Sequence, residues 1–303
     1  MTRPIEMRPL SPAMGVEILG FDSGTRPDAD TASLLRSALD EHQILLLREQ
    51  SLDTDAQIAL LEAFGPPLVE SDDGRRFQYI SNTREDGILG EGCLEFHSDH
   101  AFMEEPIDTI SLYGLEVSAG CGRTHFANGL RAARALPQPL RSRVATLRAR
   151  HIIDPAADAS SVVCRGPRLP DTLPHALHPI LWNHPRTHEP ILYVNEQQTD
   201  SVESLDGAES RALLEELFAH IHSPAFAYVH EWRERDLVIW DNLALQHARD
   251  ASGHDAARTL RRVSVGGTSV IEFFRMADGK IAHRNRDTGS ASSARSRSMT
   301  RDA

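Results

Sequence analysis

In the segment Leu94-Glu95-Phe96-His97-Ser98-Asp99-His100-Ala101-Phe102 a histidine and an aspartate stand two residues apart. Residues two apart on an extended strand point to the same side, so His97 and Asp99 would present an imidazole and a carboxylate together. One more imidazole would complete a 2-His-1-carboxylate facial triad, a set that binds non-heme iron(II) and leaves coordination positions open. The candidate is His247, in Trp240-Asp241-Asn242-Leu243-Ala244-Leu245-Gln246-His247, where a strand-like run and an Asp-Asn turn precede it. The chain has 15 histidines, so His-x-Asp or His247 read alone is an ordinary hydrogen-bonded side chain. The same three ligands would also suit a zinc hydrolase, or a metal-binding protein without catalysis.

Taken in order, these segments resemble the taurine dioxygenase and 2,4-dichlorophenoxyacetate dioxygenase (TauD/TfdA) family of Fe(II)/2-oxoglutarate enzymes. His97-x-Asp99 is followed by the aromatic Phe102, and Gly120-Cys121-Gly122-Arg123-Thr124 places a threonine 25 residues after Asp99. Trp240-Asp241-Asn242 with His247 is followed by Arg258 at eleven residues and Arg262 at fifteen. The likeness extends over roughly residues 8–270. It implies iron on His97, Asp99 and His247, and 2-oxoglutarate with its distal carboxylate on Arg258 and Thr124. It also implies O2 as oxidant and Arg262 as a contact to the substrate, which an anionic group on a small organic molecule would suit. Arg262 shares strand parity with Arg258, whereas Arg261 faces the other way. Related halogenases lack the carboxylate ligand; Asp99 is present, so the resemblance implies hydroxylation or a related oxidation with release of succinate and CO2. The implied fold is a double-stranded β-helix, a jelly roll with flanking helices.

Local patterns by themselves indicate mixed α and β. Strands are expected at Val16–Phe21, Ile44–Leu47, Ile107–Val117, Ile191–Val194, Leu237–Trp240 and Arg258–Val265, where apolar and β-branched residues run between turn residues. Helices are expected at about 31–42, from Asp53 or Thr54 to Gly65-Pro66, at about 129–148 and over 209–222, where Leu213, Leu214, Leu217, Phe218 and Ile221 fall on one face. The polar, proline-punctuated loop 154–176 and the glycine-containing stretch 82–95 flank the implied iron site and are expected to close over substrate. His175, His178, His184 and His188 lie among prolines and are read as hydrogen-bonding residues rather than a metal tract.

The 303 residues are read as a single dioxygenase domain over 1–276 with a disordered polar tail over 277–303, where almost no residue could be buried. A net charge of −12 argues against nucleic acid as the partner, since phosphate binding needs a basic surface. No run approaches the ~18 apolar residues of a membrane span. The three cysteines are widely spaced and form no CxxC pair, which indicates a reducing compartment, the cytoplasm. The partner is thus a small-molecule substrate, with a homo-oligomer left open.

Overall fold

The computed structural model describes residues 4–276 apart from 91, 158–160, 167 and 254–255; the expected tail 277–303 lies outside the described residues. Two mainly antiparallel sheets face each other. The larger has eight strands, in which Leu237–Asp241 pairs with both Ile44–Leu47 and Thr109–Val117, and Arg258–Val265 lies between Thr109–Val117 and Gln78–Ser81. The smaller has four, with Leu245–Arg249 set between Leu94–His97 and Thr124–Asn128. This is the jelly roll that the resemblance implied, and the parallel pairings are confined to short strands near the sheet edges and the join to Val16–Leu19.

The strands of the larger sheet are apolar on both faces because both are covered. Ile44, Leu46, Val238 and Trp240 point into the space between the sheets, where they meet Ile110, Leu112, Phe126, Leu245 and Leu260. The alternate residues Leu45, Leu47, Leu237 and Ile239 point outward against Leu35, Leu39, Leu60 and Leu61 of the helices Ala29–His42 and Thr54–Leu61. A strand buried on both sides reads as a continuous apolar run, as Ile44–Leu47 does. Helices Gly129–Ala135, Gln138–Val144 and Gly207–Ile221 cover the far face of the smaller sheet.

The same parity places the chemistry. Leu260 points inward, so Arg258 and Arg262 do too, while Arg261 shares the outward parity of Val263. Leu245 points inward, and His247 and Arg249 follow it; Phe126 points inward, and Thr124 follows it. Towards one end of the sandwich, the inward-facing residues change from apolar to polar and enclose a cavity of about 300 Å3.

The helix expected over 129–148 is two helices and the start of a strand. Pro137 has no N–H to give and forces Leu136 out of the helical region, to ψ 127, so the first helix ends at Ala135. The second ends at Val144, and Arg148–Ile152 is a strand. The expected loop 154–176 is shorter than read, since His175–Pro179 pairs with Arg148–Ile152 and Val163–Arg165 makes a turn of 3-10 helix.

Candidate active site

Leu94–His97 and Leu245–Arg249 are antiparallel neighbours with His97 directly opposite His247, which brings the two ring centroids within 4.2 Å. The strand ends at His97, so Asp99 is not placed by strand parity as the spacing suggested. It sits in the turn that follows, where His100 takes a left-handed φ of 60°. The buried Asn242 fixes that turn: its Oδ1 accepts from the Asp99 N–H at 2.9 Å, and its Nδ2 donates to the Asp99 carbonyl at 3.0 Å and the Ile107 carbonyl at 2.8 Å. The result is the same convergence by another route. Asp99 Oδ1 lies 3.1 Å from His97 Nε2 and 3.7 Å from His247 Nε2, and one ligand atom from each of the three residues falls within 4.8 Å of the others.

The protonation states suit a divalent metal. His97 Nδ1 sits 2.7 Å from the Glu95 carbonyl, a position for a donated hydrogen bond, which leaves the lone pair on Nε2 facing Asp99. Burial, reinforced by the neighbouring His97, pushes the His247 imidazole down to about 3, so it is a neutral ligand at physiological pH. Burial would raise the Asp99 carboxyl, but the charge of the adjoining Arg262 outweighs it and holds the group well below the usual carboxylate range. Its two oxygens divide their work: Oδ1 faces the imidazoles, and Oδ2 accepts from Arg262 at 2.9 Å. Two imidazoles and one carboxylate oxygen aimed at one point fit an iron(II) ion.

Asp241, in the same Trp-Asp-Asn run, is structural. Its Oδ1 accepts the N–H groups of Leu243 and Ala244, and its Oδ2 accepts from His184 at 2.8 Å and Arg186 at 2.7 Å, which fixes the turn into the His247 strand. Trp240 packs edge-on against His247 at 5.1 Å. Asn242→Ala is expected to lower stability by about 1–3 kcal/mol, because it strands buried backbone groups. It is also expected to weaken iron(II) binding by about 10- to 100-fold, because Asp99 loses its anchor. Denaturant titration and anaerobic iron titration measure the two effects.

Arg258 and Thr124 both line the cavity and are nearly fully buried. The Thr124 hydroxyl accepts from Trp232 Nε1 at 2.9 Å, and the Arg258 guanidinium stands 6.0 Å from the centre of the Trp232 ring. Among the described residues no carboxylate lies within ion-pair distance of Arg258, and its Nε has no hydrogen-bond partner. Burial, with Arg249 nearby, pushes the group down to about 9. A buried cation without a counterion is costly unless an anion arrives.

Arg262 lines the same cavity but is already paired, with Glu70 at 2.6 Å on one side and Asp99 on the other. Arg261 is turned away as its parity required, with Nε 2.7 Å from Gln57 Oε1 and NH2 2.9 Å from the carbonyls of Leu52 and Asp53. Two of the histidines singled out in the sequence make the expected hydrogen bonds, His178 with the Ala101 and Met103 carbonyls and His184 with Asp241, and His125 pairs with Asp250. Strict strand alternation would turn His100 away from Asp99, but the left-handed turn lets it line the cavity, where burial lowers it to about 4.

Two cavity residues were not foreseen. Arg249 donates from Nε to the Gly92 carbonyl at 3.0 Å and from NH2 to the Leu89 and Gly92 carbonyls, tying the glycine-containing stretch to the iron strand. Its parity with His247 was a usable signal. Glu70 lies in a loop far from every motif, and nothing in its local sequence marks it. A separate cavity of about 940 Å3 against Gly207–Ile221 contains none of the converging ligands.

Comparison with known proteins agrees with this geometry. The family model described as "Taurine catabolism dioxygenase TauD, TfdA family" matches residues 6–264. The chain is 29% identical over 286 residues to the alpha-ketoglutarate-dependent 2,4-dichlorophenoxyacetate dioxygenase of Cupriavidus pinatubonensis, covering 87% of this chain and 98% of that one. It is 28% identical over 277 residues to pentalenolactone F synthase of Streptomyces avermitilis, covering 83% and 90%. Among solved structures, a taurine dioxygenase from Burkholderia xenovorans superposes with a TM-score of 0.74 at 28% identity, over 87% of this chain and 91% of that one.

Proposed function

As a member of the TauD/TfdA family the chain is an iron(II)- and 2-oxoglutarate-dependent dioxygenase, and we propose that His97, Asp99 and His247 hold its iron. Arg258 and Thr124 receive the distal carboxylate of 2-oxoglutarate, and Arg262 borders the substrate. The observation that carries this reading is the pairing of a convergent 2-His-1-carboxylate set with a buried arginine that has no carboxylate partner among the described residues, in one cavity. A zinc hydrolase or a non-catalytic metal protein accounts for the three ligands but leaves Arg258 without a counterion among the described residues.

Bound iron and 2-oxoglutarate together supply the oxidising power, with O2 consumed and succinate and CO2 released, and the substrate is a small organic molecule. The protein's residues do the rest. Asp99 is held ionised by Arg262, which occupies its Oδ2, so Oδ1 is the oxygen it would offer the iron. His97 is held in one tautomer by the Glu95 carbonyl. Trp240 and Phe126 wall off His247, and Arg249 draws residues 89 and 92 over the cavity, which limits water at the reacting centre.

Residues 1–276 are read as one catalytic domain, because every proposed site residue lines one cavity between the two sheets. Among the described residues no helix is long and apolar enough to cross a membrane. The three cysteines are free, which supports placement in a reducing compartment such as the cytoplasm.

Anaerobic addition of iron(II) and then 2-oxoglutarate is expected to give a weak visible charge-transfer band. A substrate panel should then be read out as succinate formed. Absence of the band with both ligands bound in excess would remove the dioxygenase reading.

A further inference from the structure

Arg262 brings its own counterion into the cavity. Glu70 is 2% exposed, and its Oε2 lies 2.6 Å from Arg262 NH1. Its Oε1 accepts from the Ser264 hydroxyl, its N–H donates to the Arg75 carbonyl at 2.8 Å, and its own carbonyl accepts from Gln78 Nε2 at 2.6 Å. Glu70 is therefore held from several directions and cannot swing aside to free the guanidinium. The other edge of Arg262 is taken by Asp99 Oδ2 at 2.9 Å. One cation thus stands between two carboxylates, with no unmatched positive charge for a ligand.

A second, independent observation concerns the space beyond the iron. A cavity of about 410 Å3 shares Leu89, Leu94, His97 and Asp99 with the iron cavity and continues between Ile152, Pro155, Val162 and Leu169. Its walls are mostly apolar. Beyond Asp99 itself, the ionised side chain that it adds among the described residues is Asp154, and no described lysine or arginine lines it. Of the other cations near the iron, Arg258 is assigned to 2-oxoglutarate, and Arg249 has its Nε and NH2 on the Leu89 and Gly92 carbonyls and its NH1 without a hydrogen-bond partner among the described residues.

We propose that the substrate is an uncharged, largely apolar molecule, and that Glu70 is the residue that sets this preference by neutralising Arg262. The proposal rests on the reading of Arg258 as the cosubstrate site. An anionic head group entering beside Arg262 would lose its hydration and meet the Glu70 carboxylate as well as the guanidinium. A neutral polar group could accept from the edge of the ion pair without that repulsion.

The test uses the holoenzyme loaded anaerobically with iron(II) and 2-oxoglutarate, and two probes of the same shape, phenoxyacetate and 2-phenoxyacetamide. Binding is read by calorimetry and by perturbation of the visible band. Wild type is expected to favour the amide by at least about 10-fold. Glu70→Gln is expected to raise affinity for the acid by at least about 10-fold while the amide changes by less than about 3-fold. Glu70→Ala serves as the second variant. A merely structural role for Glu70 would weaken both probes together. A wild-type preference for the acid overturns the proposal, and so does the absence of an acid-specific gain in both variants. Loss of the visible band in wild type would instead strike at the cosubstrate reading, so the two failures are distinguishable.

Discussion

His247→Ala is expected to abolish turnover and to weaken iron(II) binding by more than about 100-fold, beyond the range typical for residues that only orient a ligand. The cause is geometric. The three ligand atoms gather within 4.8 Å of one another, and His97 faces His247 across paired strands, so no other described side chain can enter the vacated position without moving a strand. His100 lines the same cavity but is not among the residues whose ligand atoms converge. The fold should survive, because Trp240 and Phe126, against which the imidazole packs, are anchored in the inter-sheet core. Far-UV circular dichroism should therefore be retained while anaerobic iron titration fails. His97→Ala should behave alike. His125→Ala, which removes a partner of Asp250 near the surface, is the control and should bind iron as wild type does. Iron affinity unchanged in His247→Ala would sink the ligand assignment.

What could be read from the sequence followed from the regularity of strands. Parity separated Arg258 and Arg262 from Arg261, and it holds because Leu260 and Val263 pin opposite faces of that strand to different layers of the core. The Ile44–Leu47 run was legible for the same reason, being covered on both sides. Parity put Asp99 beside His97 but for the wrong reason, since the strand stops at His97 and Asn242, 143 residues further on than Asp99, holds the turn that brings the carboxylate back. It was silent on Glu70, whose position depends on contacts with Arg262, Ser264 and Gln78, each far along the chain or in another strand. Pattern reaches residues that neighbours in sequence position; it does not reach those placed by tertiary hydrogen bonds. The resemblance supplied the roles of Thr124 and Arg258, which local pattern alone would have left as a strand hydroxyl and a buried charge.

Arg258→Ala should leave iron binding intact and raise the KM for 2-oxoglutarate by about 30-fold or more, the equivalent of at least about 2 kcal/mol for an anion deprived of a buried charged partner. Arg258 is 3% exposed, its backbone N–H is held by Asn82 Oδ1 at 2.8 Å, and Thr124 and Trp232 flank its guanidinium. The site is therefore preformed, and among the described residues its charge has no internal anion, so it awaits an external one. Removing the guanidinium leaves the Thr124 hydroxyl as the remaining named donor; it accepts from Trp232 and keeps its O–H free, but one neutral donor cannot replace a charged two-pronged partner, so little binding is recovered. Arg258→Lys should recover only part, since an ammonium cannot reproduce the two-pronged contact to a carboxylate. The free variant should be no less stable than wild type, and it gains if anything, because an unpaired buried cation is a cost in the empty protein. The combination is diagnostic: a raised KM, unchanged iron affinity and undiminished resistance to denaturant in the unliganded state. A KM left at the wild-type value would move the distal carboxylate elsewhere in the cavity, to Arg249, whose NH1 is buried without a hydrogen-bond partner among the described residues.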